Sequence, residues 1–370
     1  MTSRILITGG AGFIGRHLTS GLLRRGYNVR LLDSLIDQVH GSQSDPGVLS
    51  SEIEVVRGDV RDADVVARAI EGIDSVVHLA AEVGVGQSMY AVDQYVGVND
   101  FGTAVLLQAL IAHPVRRVVV ASSMSVYGEG LYRDSDGALV ETAERDLTRV
   151  AEKRWDPVDA DGRPLTPVPT PEWKRPALSS VYALTKYTQE RLTLMLTSAY
   201  GMEGVALRLW NTYGAGQALS NPYTGVLANF AIRLLNDRPP LIFEDGEQRR
   251  DFVHIDDVVA AFLLALEHPR AVGNVYNVGS GRAATVTEAA QLLARAMDKE
   301  IEPEITRGMR AGDVRHCIPD IEKIRSELGF APARDLDDSL EGLAEWVASQ
   351  KAEDRVSQAR AELERRGLVL

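Results

Sequence analysis

Short apolar runs recur along the first half of the chain: RILIT, NVRLLD, IEVVRGD, SVVHLAA, RRVVVASS and GVALRLW. Each is followed by a segment whose apolar positions repeat at helical spacing. Near-continuous apolar runs suit strands covered on both faces, and parallel strands joined by right-handed helical crossovers are covered in that way. The pattern predicts an α/β fold with a doubly wound parallel sheet. After Trp210 it loosens into Gly, Pro and Asn, with helices expected near 224–236, 256–267, 286–297 and 339–349. FVHIDD and NVYNVGS read as returns to the main sheet. A smaller α/β domain is therefore interleaved with the larger one, which takes 1–211 and 253–278 and leaves 212–252 and 279–370 to the second.

Between Gly128 and Ala177 the periodicity fails. The stretch 129–177 is rich in Pro, Asp and charge, and only a short helix at 142–154 is expected in it. A connection far beyond ~12–15 residues inside a compact domain is functional or disordered. No internal repeat or coiled-coil period is present.

Composition narrows the picture. The chain has 370 residues, 45% of them hydrophobic, which supplies a sizeable core. Its 52 acidic against 40 basic residues leave a formal net charge of −12, which argues against a nucleic-acid or anionic-membrane surface. Cys317 is the only cysteine, so neither an internal disulfide nor a cysteine zinc site can form, and no metal is expected. The N-terminus enters a strand almost at once, and no run of about 18 apolar residues marks a membrane span. A soluble cytoplasmic protein is the expectation.

TGGAGFIG places Gly9, Gly12 and Gly15 where the first strand turns into the first helix. Glycine allows the tight turn and a close approach of backbone to a pyrophosphate, while the helix N-terminus offers N–H donors. Asp33 ends the second strand 18 residues beyond Gly15, and a carboxylate there can accept both ribose hydroxyls while repelling a 2′-phosphate. NAD is thus favoured over NADP, and 1–211 is read as an NAD-binding Rossmann-type domain. Asp59 and the segment HLAA lie at later strand ends that should wall the cofactor, with His78 read as a core histidine. The expected cofactor contacts are Gly9, Gly12, Phe13, Ile14, Gly15, Asp33, Asp59, Val60, Leu79, Ala80, Ala81 and Asn99, joined by Tyr182 and Lys186.

YALTK sets Tyr182 and Lys186 four residues apart on one helix face, and at that spacing an ammonium beside a phenol lowers the phenol's pKa. Together with the glycine turn and the serine pair at 122–123, these residues resemble the extended short-chain dehydrogenase/reductase family, and within it the sugar-nucleotide epimerases and dehydratases. The resemblance runs through TGGAGFIG, HLAA, SSMSVYG, YALTK, RLWNTYG, RRDFVHIDD and MRAGDVRH in order. It implies a triad of Ser123, Tyr182 and Lys186. It also implies that dehydratases carry an Asp-Glu pair directly after the catalytic Ser/Thr, where this chain has Met124 and Ser125. Neither residue can act as a carboxylic acid or base, so elimination loses its catalysts and C4 epimerisation through a transient 4-keto sugar remains.

The same resemblance implies a nucleotide-diphosphate sugar as substrate, with Asn211 along the sugar, Arg250 and Arg310 on the phosphates and Asp313 on the nucleotide ribose. The insertion, PLTPVPTPE and QALSNPYTG resemble TDP-L-rhamnose 4-epimerase-like members, and such inserts can carry paired cysteines. Here Asp159 and Asp161 stand at those positions, which speaks against a zinc knuckle. QALSNPYTG lacks the arginine that some glucuronate-specific 4-epimerases place after this Tyr-Gly, so a sugar carboxylate would need Arg163 or Arg175. UDP-glucose and UDP-glucuronate remain alternative substrates, and a net NAD-linked reductase or a non-catalytic NAD-binding regulator remain alternative functions. A homodimer is expected through helices near 94–112 and 179–200, with Val105, Leu106 and Leu194 to Leu196 as surplus apolar positions.

Overall fold

A computed structural model describes residues 3–40, 53–223, 225–351 and 353–370. The predicted strands form one sheet: β1 (Arg4–Thr8), β2 (Asn28–Asp33), β3 (Glu54–Arg57), β4 (Ser75–His78), β5 (Arg117–Ser123), β6 (Glu203–Leu209) and β7 (Val275–Val278). All are parallel, in the order β7-β6-β5-β4-β1-β2-β3. The order reverses between β1 and β4, and ligands in such sheets bind outside the carboxyl ends of the strands at that point. Successive residues of β1 enter opposite cores, Ile5 and Ile7 on one face and Leu6 on the other, which is why the strand is apolar throughout.

A third core is built by Leu227, Phe230, Leu234, Leu293, Leu340 and Leu343 from helices Val226–Leu235, Val286–Ala296 and Leu336–Ala348. Thr224, where the sequence starts the first of these helices, lies outside the described residues. NVYNV returns to the main sheet as β7, but FVH does not. Strand Arg249–His254 pairs with Asn211–Tyr213 and Ala283–Thr285 in a separate sheet. Only with helix Ile255–Glu267, whose Val258, Phe262 and Leu266 enter the core beneath β1, does the chain come back. An apolar run reports burial, not which sheet buries it.

The insertion is ordered. Its strands Leu131–Arg133, Leu139–Val140 and Thr166–Val168 form a small antiparallel sheet, and the helix expected at 142–154 is confined to Leu147–Ala151. Arg163 ion-pairs with Asp159 and Asp161 on the surface, so those aspartates are committed to it.

Residues Val92–Ala112 run as one helical stretch that passes through a π turn at Val96–Phe101. Contrary to the expectation from the sequence, this stretch is long and apolar enough, by length and composition, to cross a membrane. Leu106, Leu107 and Leu110 explain the apolarity on one side, since they are buried in the core. Leu106 therefore belongs to the interior rather than to a pairing surface. Val92, Val96 and Phe101 are exposed, as are Leu184, Met195 and Tyr200 on helix Val181–Ala199 and at its end.

Candidate active site

The glycine turn is fixed by sterics. Gly9 has φ +68°, and a Cβ there would meet the backbone of Ala80 at 2.8 Å; a Cβ on Gly15 would meet the Gly10 carbonyl at 2.5 Å. Gly12 caps helix Phe13–Arg24 without any side-chain hydrogen bond, which leaves the first N–H groups of the helix for an anion. Asp33 stands beside this turn, accepting from the N–H groups of Ala11 (2.9 Å) and Leu35 (2.8 Å), with His40 Nε2 at 3.5 Å. Burial raises its carboxyl, but the donors of His40, Leu35 and Ala11 outweigh that and hold it below its ordinary value. A glycine cradle, free helix donors and an ionised strand-end carboxylate fit an NAD dinucleotide.

Ser180 caps helix Val181–Ala199 by accepting from Ala183 N–H (3.1 Å), and the helix presents Tyr182 and Lys186 toward the end of β5. The Ser123 hydroxyl lies near enough to the Tyr182 phenol to lower its pKa, and it accepts from Ser125 N–H at 3.1 Å. The expected lowering of the phenol by Lys186 is not what the structure holds. Burial raises Tyr182, and Ser123 alone offsets it. Lys186 turns away to donate to Gln189 Oε1 at 2.6 Å, and desolvation lowers its ammonium to about 7. Gln189 continues to His78 Nε2 (3.1 Å), and His78 Nδ1 meets Thr8 Oγ1 on β1 (2.7 Å). His78 is the buried core histidine expected, lowered to about 3 by desolvation and by Lys186.

One cavity of about 910 Å³ joins these parts. It is lined by every candidate residue of the triad, the cofactor site and the diphosphate site except Asn99. Asn99 lies buried in the π turn, where it accepts from Glu82 N–H (2.7 Å) and donates to Glu82 O (3.1 Å) and Thr185 Oγ1 (2.9 Å). Its position makes it a support of the loop after HLAA. Asp59, at the rim, is gripped by Arg61 at 2.6 Å. Asn211 Oδ1 is buried with no hydrogen-bond partner among the described residues, an acceptor available to a ligand in the cavity.

At the far end, Arg310 holds Asp313 with two hydrogen bonds of 3.0 and 2.8 Å and lies over the Phe243 ring at 5.5 Å. Burial raises the Asp313 carboxyl, but Arg310, helped by Arg250 and Arg145, outweighs it and holds the group below its ordinary pKa. Arg250 donates to the carbonyls of Arg249, Val314 and Arg315. Arg163 and Arg175 do not line the cavity, so the insertion supplies no partner for a sugar carboxylate. Gln189, His40 and Arg145 were not singled out from the sequence. Gln189 follows Lys186 by three residues on the same helix, a spacing that could have flagged it; His40 lies close after Asp33 but outside any motif, and Arg145 acts across 99 and 168 positions.

The sequence pattern of the NAD dependent epimerase/dehydratase family matches residues 5–146 and 161–279. The chain belongs to this family. Among its relatives in the NAD dependent epimerase/dehydratase family, the dTDP-L-rhamnose 4-epimerase of Burkholderia thailandensis is 33% identical over 352 residues, 94% of this chain and 95% of that protein. A dTDP-glucose 4,6-dehydratase of Actinoplanes sp. is 30% identical over 361 residues, 94% and 98% of the two chains. The crystal structure of UDP-glucose 4-epimerase from Thermotoga maritima with UDP-glucose has 30% identity and a TM-score of 0.75, covering 93% of this chain and 98% of that one. Both epimerases and dehydratases thus stand near this chain, and the residues after Ser123 bear on the choice.

Proposed function

We propose that the protein is an NAD-dependent nucleotide-sugar 4-epimerase, with TDP-L-rhamnose as the first substrate to test and a UDP-hexose as the second. The observation that carries the choice is the tip of β5: Ser123 and Tyr182 line the same cavity, while Met124 is buried in the core and Ser125 carries only a hydroxyl. No carboxyl group follows the serine to remove a C5 proton or protonate a leaving hydroxyl. The likeness to TDP-L-rhamnose 4-epimerase supports the substrate.

NAD would lie on Gly9, Gly12 and Gly15, with its ribose on Asp33, and supplies a hydride acceptor that is restored at the end of each turnover. Tyr182 would take the proton of the sugar's 4-hydroxyl and give it back to the same oxygen once C4 has been inverted. Ser123 holds the reacting oxygen, and Lys186 binds at the nicotinamide ribose. Asn211 steadies the sugar, while Arg250 and Arg310 bind the diphosphate in their planar forks and Asp313 the nucleotide ribose. We place the cofactor lobe in 1–211 with the return at 255–278, and the nucleotide-sugar lobe in 212–254 and 279–370. The exposed apolar side chains of helices Val92–Ala112 and Val181–Ala199 support a homodimer, and the acidic charge balance supports a cytoplasmic setting.

Incubation with TDP-L-rhamnose or UDP-hexoses without added NAD, followed by NMR, should show equilibration of C4 epimers. In D₂O no deuterium should enter C5, and Tyr182→Phe should slow turnover by roughly 10²–10⁴ with substrate affinity within several-fold. Deuterium at C5, or an accumulating 4-keto-6-deoxy sugar, would convert the reading to a dehydratase.

A further inference from the structure

Three charged side chains of the 129–177 insertion reach across to the far end of the cavity. Glu129 accepts from the N–H groups of Arg315 (2.7 Å) and His316 (3.2 Å) and pairs with Arg145 Nε at 3.0 Å. Arg145 donates through Nη1 to Glu244 Oε1 at 2.5 Å and through Nη2 to the Asp313 carbonyl. Asp156 accepts from Arg315 Nε at 2.7 Å. Arg315 in turn holds Glu244 Oε2 (3.0 Å) and both Asp245 oxygens (2.5 and 3.0 Å). The Arg145 and Glu244 side chains are 7% and 2% exposed.

Each of these contacts adjoins a candidate phosphate or ribose ligand. The Asp313 carbonyl that Arg145 grips belongs to the partner of Arg310, and the next two carbonyls, of Val314 and Arg315, accept from Arg250. Glu244 follows Phe243, the ring beneath Arg310. It sits at φ +56°, in the left-handed region that a glutamate adopts against a steric penalty, so something must hold it there. Buried ionic clusters give little net stability over apolar packing. What this one supplies is a single geometry, because a guanidinium fork satisfies several fixed acceptors in one arrangement only.

We propose that Arg145 is a positioning residue for recognition of the nucleotide diphosphate. From the insertion it fixes Glu244 and the Asp313 carbonyl directly, and the backbone of Arg315 and His316 through Glu129, and through them sets Arg250, Arg310 and Asp313 for the substrate. The inference rests on the nucleotide-sugar reading above. It gives the insertion a role in substrate affinity rather than in the chemical step.

The test is calorimetric titration of UDP and TDP into the NAD-loaded wild type, Arg145→Met, Arg145→Lys and the double variant Arg145→Met/Glu244→Gln. Arg145→Met should weaken the diphosphate by roughly 10-fold and raise KM alike, with kcat within about threefold. Arg145→Lys should recover only part, since one ammonium cannot span Glu129, Glu244 and the Asp313 carbonyl. If Arg145→Met does not fold because Glu244 is left with Arg315 as its one buried counter-charge, the double variant, which removes both charges, carries the same expectation. Diphosphate affinity within about twofold of wild type in a variant that retains NAD overturns the proposal, as does a loss in kcat without change in KM. A wild type that turns over no sugar nucleotide refutes the epimerase reading, while the titrations still decide the role of Arg145.

Discussion

Arg208 on β6 and Glu190 on helix Val181–Ala199 form a two-pronged ion pair, Nε to Oε2 at 2.9 Å and Nη2 to Oε1 at 2.7 Å. Their side chains are 5% and 1% exposed. Ser122 adds a 2.7 Å hydrogen bond to Glu190, and Arg208 donates to the Tyr127 hydroxyl at 2.7 Å. The pair thus ties the tip of β5 to the helix that bears Tyr182 and Lys186. Arg208→Met keeps the stem and removes the charge, which leaves a buried carboxylate with only the Ser122 hydroxyl. Breaking one side of such a pair costs about 3–5 kcal/mol, a large share of the ~5–15 kcal/mol that keeps a domain folded. Urea unfolding followed by circular dichroism should show a lower midpoint at unchanged slope. Glu190→Gln/Arg208→Met should regain most of the loss, because no unpaired charge remains. An Arg208→Met protein within about 1 kcal/mol of wild type would refute the reasoning, since that is the value of an exposed pair.

Asp33→Asn should erode the preference for NAD over NADP by about 10-fold, the difference between a charged and a neutral acceptor, and paired binding titrations measure it. Because the Asp33 carboxyl is held below its unfolded value, its stabilisation is present above that value and is lost as pH falls through the folded one; the Asn variant should therefore lose less stability in acid. A wild type that prefers NADP would contradict the assignment. Sedimentation at micromolar concentration should show a dimer, converted to monomer by Phe101→Glu or Met195→Glu, and a monomeric wild type would remove the pairing surface.

Five of the six strands of the first half were legible because both faces of each are buried, which makes the sequence apolar; β3, at the sheet edge, is exposed at its ends and half-buried between them, and only its Val-Val pair marks it. The glycine turn, Asp33 and the Tyr182–Lys186 spacing were legible because each is local. FVH was assigned to the wrong sheet, since its apolar residues would look the same against either core. The network of Glu129, Arg145, Asp156, Glu244 and Arg315 was invisible, because its members lie up to 186 positions apart and each alone reads as a solvated charge. The state of the triad was misjudged for a related reason. The i, i+4 spacing brings Lys186 to the face of Tyr182, but Gln189 claims the ammonium, and burial acts on both groups.

The line of hydrogen bonds from Lys186 through Gln189 and His78 to Thr8 has a consequence for proton traffic. An amide neither accepts nor releases a proton at working pH, and an imidazole whose pKa is lowered to about 3 does not take one up. The line is a strut and not a wire. A proton shed by Lys186 is not relayed inward along this line, and the side open to it is the cavity that Tyr182 and Ser123 also line. Once a sugar and a dinucleotide fill that cavity, the proton lifted from the 4-hydroxyl stays beside the oxygen that must receive it back.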